Sequence, residues 1–171
     1  MIFLIESRFI DALLDLHKTL EGLNIEWAIG GDLGEALLGV QVDPNCIELI
    51  TTKKGAYSLH DAISSYYPSE IEPKTTRLSR EATLGNDTFP VYIRSHFFDF
   101  RVKDVDVKVH GNLQYRISDW EWGDPLEFEP QFVYITGYKT AILPLKLKYD
   151  LHNGLGWIDK AEKISRRIVQ Q

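Results

Sequence analysis

A chain of 171 residues with 44% hydrophobic and 26% charged side chains has the make-up of one ordinary globular domain, which argues against a disordered or fibrous protein. Its formal charge of -6 leaves no broad positive field for duplex nucleic acid or an anionic membrane surface. The lone Cys46 rules out an internal disulfide and paired-cysteine zinc spacing, and the five histidines form no HExxH or HxH group.

The chain opens on the apolar run MIFLI, which Glu6 and Arg8 interrupt before it reaches the length of a signal peptide or a membrane span. A cytoplasmic protein is therefore expected. Phe9, Leu13, Leu16, Leu20 and Leu23 then recur at helical spacing, which predicts an amphipathic helix from Arg8 to Leu23. IEWAIG follows as a short, largely apolar strand, Gly30 and Gly31 end it, and DLGEALLG has room for about two helical turns before Gly39. The turn residues DPN at Asp43 to Asn45 lead into a second strand, CIELITT, and Ala56, Leu59, Ile63 and Tyr66 mark another helix that ends before Pro68.

The stretch IEPKTTRLSREATLGNDTFP is polar and turn-rich, and predicts loop with one or two short edge strands. VYIRSHFFDFRV, VDVKVH and LQYRI read as separate antiparallel strands, broken at Lys103-Asp104 and at Gly111-Asn112. SDWEWGDPLEFEP is an acidic loop and QFVYITGY a single short strand. Pro144 opens a helix to about His152, Gly154 and Gly156 break it, and Ile158, Ala161, Ile164 and Ile168 stripe the last helix. The pattern predicts an α/β (α+β) fold: a mixed, partly antiparallel sheet flanked by helices, in one domain over 1–171, with the sheet core at about 25–136 and a C-terminal helical pair at about 144–169.

Two glycines between a strand and a helix let the backbone approach a ligand closely, and helix-terminal amides can hold phosphate oxygens. Tight turns account for many such pairs. The second strand narrows the choice, because residues i and i+2 point to one face and Cys46 and Glu48 therefore project together. Two carboxylates at such positions, with a third from a neighbouring strand, would hold two divalent metals for phosphoryl or nucleotidyl transfer. Asp106 in VDVKV is the candidate third acid.

The run IGGDLGEALLGV, followed by a strand bearing the i, i+2 pair and by an acidic residue on a later strand, resembles the nucleotidyltransferase fold of the DNA polymerase beta superfamily, especially its minimal prokaryotic and archaeal members. The resemblance implies nucleotide binding at Gly30 and Gly31, and catalytic, metal-binding roles toward Mg2+ for Glu48 as second acid and Asp106 as third. In the C-terminal helices Lys148, and Asp159 with Lys160, are the nearest equivalents of the lysine and the Lys/Asp pair common in the family, so Lys148 is the further nucleotide-binding candidate. Their spacing is about one helical turn too long.

The departure is Cys46, which stands at the position of the first acid. Magnesium takes oxygen ligands, and a thiol is mostly protonated at neutral pH. A small buried residue filling core space is the plainer reading of Cys46. Three functions stay open: a catalytically impaired nucleotidyltransferase-fold protein that binds a nucleotide or a protein partner; an active enzyme transferring an NMP group, its metal held by Glu48, Asp106 and another acid such as Asp32 or Asp104; and an antitoxin-like interaction protein without a ligand. A second copy of the chain is a further candidate partner, while duplex nucleic acid and membrane are not expected partners. The first function is preferred, because losing one carboxylate damages catalysis more than phosphate binding by backbone amides.

Overall fold

The computed structural model describes residues 5–170, so of the apolar start only Ile5 lies within it. The first helix, α1 (Ser7–Leu20), buries Phe9, Leu13, Leu16 and Leu20, the stripe its spacing predicts. β1 (Trp27–Gly30), α2 (Gly31–Leu37), β2 (Ile47–Thr51) and α3 (Lys53–Ile63) follow in the expected alternation. Thr52 caps α3, its hydroxyl accepting the Gly55 N–H at 3.0 Å, which satisfies one of the amides a helix start leaves without an internal partner.

The remaining strands are β3 (Glu72–Arg77), β4 (Ala82–Leu84), β5 (Asp87–Phe89), β6 (Val91–Val102), β7 (Val105–Ile117), β8 (Gln131–Ile135) and β9 (Tyr138–Ile142). Seven strands form one sheet in the order β3-β6-β7-β2-β1-β9-β8, and β4 and β5 pair as a separate hairpin. The sheet is mixed: β2 runs parallel to β7 and β1 parallel to β9, and the other pairs are antiparallel. The polar stretch before residue 91 thus holds an exposed edge strand, β3, and the small hairpin.

Two strand readings need correction. Gly111-Asn112 does not end a strand; β7 runs through it. The register with β6 shifts between Arg94 and His96, and Asn112 takes a left-handed φ of 54°, the mark of a bulge that absorbs extra residues without breaking the pairing. Gly111 is needed there for another reason: a Cβ on it would come within 2.8 Å of the Ala56 Cβ and 3.0 Å of the Thr52 carbonyl, so its absence lets the start of α3 sit on the sheet. Likewise, QFVYITGY is not one strand but the start of a hairpin turned at Thr136-Gly137, both with positive φ. Its second arm, β9, pairs with β1 through Ile29 and Ile142, so the sheet extends beyond residue 136.

Alternation along the central strands sorts the two faces of the sheet. Ile47, Leu49, Val107, Val109, Phe98 and Phe100 are buried in the main core with α1 and α3. A smaller cluster of Ala28, Ile50, Leu113 and Leu143 lies on the opposite face. Leu147 of α4 (Leu145–Gly154) packs against it, while Leu145 of α4 and Ile164 of α5 (Ile158–Val169) join the main core; the helical pair is pinned where the Trp157 indole N–H donates to the Glu81 carbonyl at 2.9 Å and the Thr83 N–H to the Leu155 carbonyl at 3.1 Å. This cover is incomplete, and a cleft remains between α4 and strands β2 and β7. Among the described residues no helix is long and apolar enough to cross a membrane.

Candidate active site

The cleft has a volume of about 440 Å³. Ile50, Ile93, Leu113 and Leu143 supply an apolar floor, and charged residues from five elements gather above it: Asp32 and Glu35 of α2, Glu48 of β2, Lys108 of β7, Lys148 of α4 and Lys160 of α5. Gly31 and Cys46 lie on the same wall.

The glycine turn packs against Glu48. Gly31 has φ +58°, and a Cβ on it would fall 2.0 Å from Glu48 Oε2, so no other residue leaves the carboxylate where it is. Beneath the turn lies a buried ion pair: Lys148 Nζ stands 2.9 Å from Glu35 Oε2 and donates to the Gly31 carbonyl at 2.6 Å. Both side chains are almost fully enclosed, so Lys148 braces the glycine turn from below while lining the cleft.

Glu48 and Asp106 lie on neighbouring strands. The register pairs Glu48 with Lys108, and Asp106 is two residues earlier on β7, hence on the same face; Cys46, expected to open the strand, stands just before β2 begins. Asp106, however, is exposed, engages Arg101 at 3.1 Å and is not part of the cleft wall. The side chain directly across from Glu48 is an ammonium group. Asp104 lies in the β6–β7 turn with φ 64°, away from the cleft, whereas Asp32 lines it, 3.8 Å from Lys160. Asp159 is bound to Arg80 at the rim, with its carboxyl held well below the ordinary range by that guanidinium hydrogen bond.

Several lining residues were not legible as site residues in the sequence. Lys108 becomes one only when the parallel pairing with β2 is known, and Tyr115 reaches the cleft only because the bulge resets the face on which it lies. His110 is buried, with Nδ1 2.9 Å from the Ser95 hydroxyl and Nε2 3.8 Å from Glu48, beyond hydrogen-bond reach. Burial, with Lys108 adding to it, lowers its pKa to about 4, so the ring is neutral and forms no charge pair with Glu48. Burial also lowers His152 to about 4, and its enclosed Nδ1 has no hydrogen-bond partner among the described residues.

The model of the aminoglycoside-2''-adenylyltransferase family matches residues 12–165. The chain belongs to that family. A crystal structure of a putative nucleotidyltransferase from Thermotoga maritima is similar over 98% of this chain and 97% of that one, with 25% identity and a TM-score of 0.72. Two more distant structures share the fold: ANT(2'')-Ia in complex with adenylyl-2''-tobramycin (10% identity, 94% of this chain and 89% of that one, TM-score 0.50), and the lincosamide antibiotic adenylyltransferase LnuA with lincomycin bound (8%, 94% and 97%, TM-score 0.50). No curated protein matches the chain.

This member of the aminoglycoside-2''-adenylyltransferase family carries a nucleotidyltransferase fold, but its cleft does not fit the pair of Mg2+ ions that the fold resemblance implies. Burial, reinforced by Glu48, pushes the Cys46 thiol up to about 11, so it stays protonated and offers a hard cation nothing. Burial also raises the Glu48 carboxyl, against the opposing pull of Lys148 and Lys108. Among the described residues no three His, Cys, Asp or Glu side chains come together as a metal site.

Proposed function

We propose that this family member binds a nucleotide in the cleft between the Gly30-Gly31 turn and α4, and that magnesium-dependent transfer of an AMP group is impaired in it. The observation that carries the reading is Cys46: a half-buried, protonated thiol in the cleft wall, just before β2 and two residues before Glu48, where the resemblance calls for a carboxylate. Loss of that oxygen removes metal coordination. It leaves intact the groups that would receive phosphates without a metal, namely the backbone of the glycine turn and the cations Lys108 and Lys160, with Lys148 holding the turn in shape. The apolar floor of Ile50, Ile93 and Leu113 suits the uncharged part of a nucleotide. The setting would be the cytoplasm.

A second reading, an active adenylyltransferase, is favoured by one observation. Asp32 lines the cleft and its charge acts on both Cys46 and Glu48, which makes it the nearest substitute acid. Two measurements separate the readings. A thermal-shift panel of nucleotides with and without magnesium detects binding, since a ligand of the native state raises its melting temperature. Incubation with ATP labelled at the α-phosphate, in magnesium and with aminoglycoside acceptors, detects transfer. Stabilisation by a nucleotide without labelled product supports the binding protein; labelled product in magnesium supports the enzyme; no stabilisation by any nucleotide removes both.

A further inference from the structure

The cations around the cleft are not equivalent. Lys148 is paired with Glu35, Lys160 lies near Asp32, and Arg80 is held by Asp159. Lys108 has no ion-pair partner within 4.0 Å among the described residues, although it lines the cleft and sits across from Glu48 in register. Its charge acts on Cys46, Glu48 and His110. A positive charge that the protein itself supplies thus stands beside Glu48, at the place where the metal ligands are missing.

Resting on the nucleotide reading above, we propose that Lys108 takes the place of the metal: the cleft accepts a polyphosphate in its magnesium-free form, with the Lys108 ammonium compensating its charge. An uncomplexed triphosphate carries two more negative charges than its magnesium complex, and a fixed ammonium attracts the first while repelling the cation of the second. Lysine suits this role as a compact, strongly hydrated point charge with three donors on a flexible stem. The same cleft presents a tryptophan and the buried His152, whose unpartnered Nδ1 leaves hydrogen-bonding capacity on that wall. Phosphate recognition then depends on a side chain two residues after Asp106, and not on Asp106.

The test is calorimetric titration of the full chain with ATP in EDTA, with ATP in excess magnesium, and with inorganic tripolyphosphate in EDTA. Wild type binds ATP in EDTA, and excess magnesium weakens binding. Lys108→Met weakens metal-free ATP by about tenfold or more, the size of one charge-assisted hydrogen bond, and erases the difference between the two forms of ATP. Lys108→Arg retains most of the affinity and guards against a mere packing effect; as Lys108 is exposed, both variants should unfold as wild type does. Tripolyphosphate competes with ATP in wild type and less well in Lys108→Met. Binding of ATP only with magnesium, equal metal-free affinity in wild type and Lys108→Met, or no competition by tripolyphosphate would each overturn the role of Lys108 while leaving nucleotide binding standing. Absence of ATP binding under every condition would overturn both.

Discussion

At the scale of single residues, the glycine turn and the groups beneath it fix the geometry of the cleft. In Gly31→Ala the new Cβ meets the Glu48 carboxylate and the backbone sits in the left-handed region, a strain of about 1–2 kcal/mol before any movement of Glu48. The variant should show a lower urea midpoint together with weaker nucleotide binding; unchanged values of both would mean that the turn does not constrain Glu48. The Lys148–Glu35 pair makes a sharper case, because removing one partner strands the other charge in the interior. Lys148→Met should cost roughly 3–5 kcal/mol, and Glu35→Leu combined with Lys148→Met should recover most of it, as a double-mutant cycle by denaturation would reveal. A double variant as unstable as the single one would contradict this account of the pair. His110 and His152 set the acid limb of stability. Each titrates near 4 in the folded protein against 6.5 for an unperturbed ring, so between these values the unfolded chain binds more protons and stability falls as pH drops. The contribution is complete above about 6.5. Melting temperature followed from pH 7 to pH 4 should fall less steeply in His152→Phe than in wild type, and identical slopes would refute the assignment to His152.

At the scale of elements, the sequence was most legible where periodicity and breakers agree. The stripe of α1, the passage from strand to glycines to short helix at Gly30 and Gly31, and the helical pair at the C-terminus all follow from local chemistry. It was least legible where a breaker serves a tertiary contact. Gly111-Asn112 has the composition of a turn, yet it stays inside β7 because Gly111 gives α3 a place to rest and Asn112 Oδ1 accepts the Lys53 N–H at 2.9 Å. Gly111→Ala should therefore destabilise by about 1–3 kcal/mol, the usual cost of overpacking, measurable by denaturant unfolding. No loss would place α3 less tightly on the sheet than described. The candidate site divides in the same way. That Glu48 faces away from the main core needs only the two-residue period of β2, whereas the opposition of Lys108 to Glu48 depends on a parallel register across some sixty residues, which no local pattern encodes. Asp106 lies on the strand next to Glu48 but engages Arg101, and the position across from Glu48 belongs to Lys108.

At the scale of the whole molecule, a chain of net charge -6 gathers Lys108, Lys148 and Lys160 around one cleft of a nucleotidyltransferase fold, close to the single acid on β2. Asp32 and Glu35 stand opposite two of these lysines, so the proposed preference for an anionic ligand over a divalent cation turns on Lys108 and on the thiol at position 46. Substituting Cys46→Asp supplies the missing oxygen beside Glu48, at some cost in stability, since a carboxylate without its metal is unfavourable to bury. Titrating Mg2+ into wild type and Cys46→Asp in the presence of ATP compares the two directly. Wild type should bind magnesium weakly and Cys46→Asp with a clear gain in affinity; tight binding by wild type, or equal affinity in the two proteins, would contradict the role given to position 46.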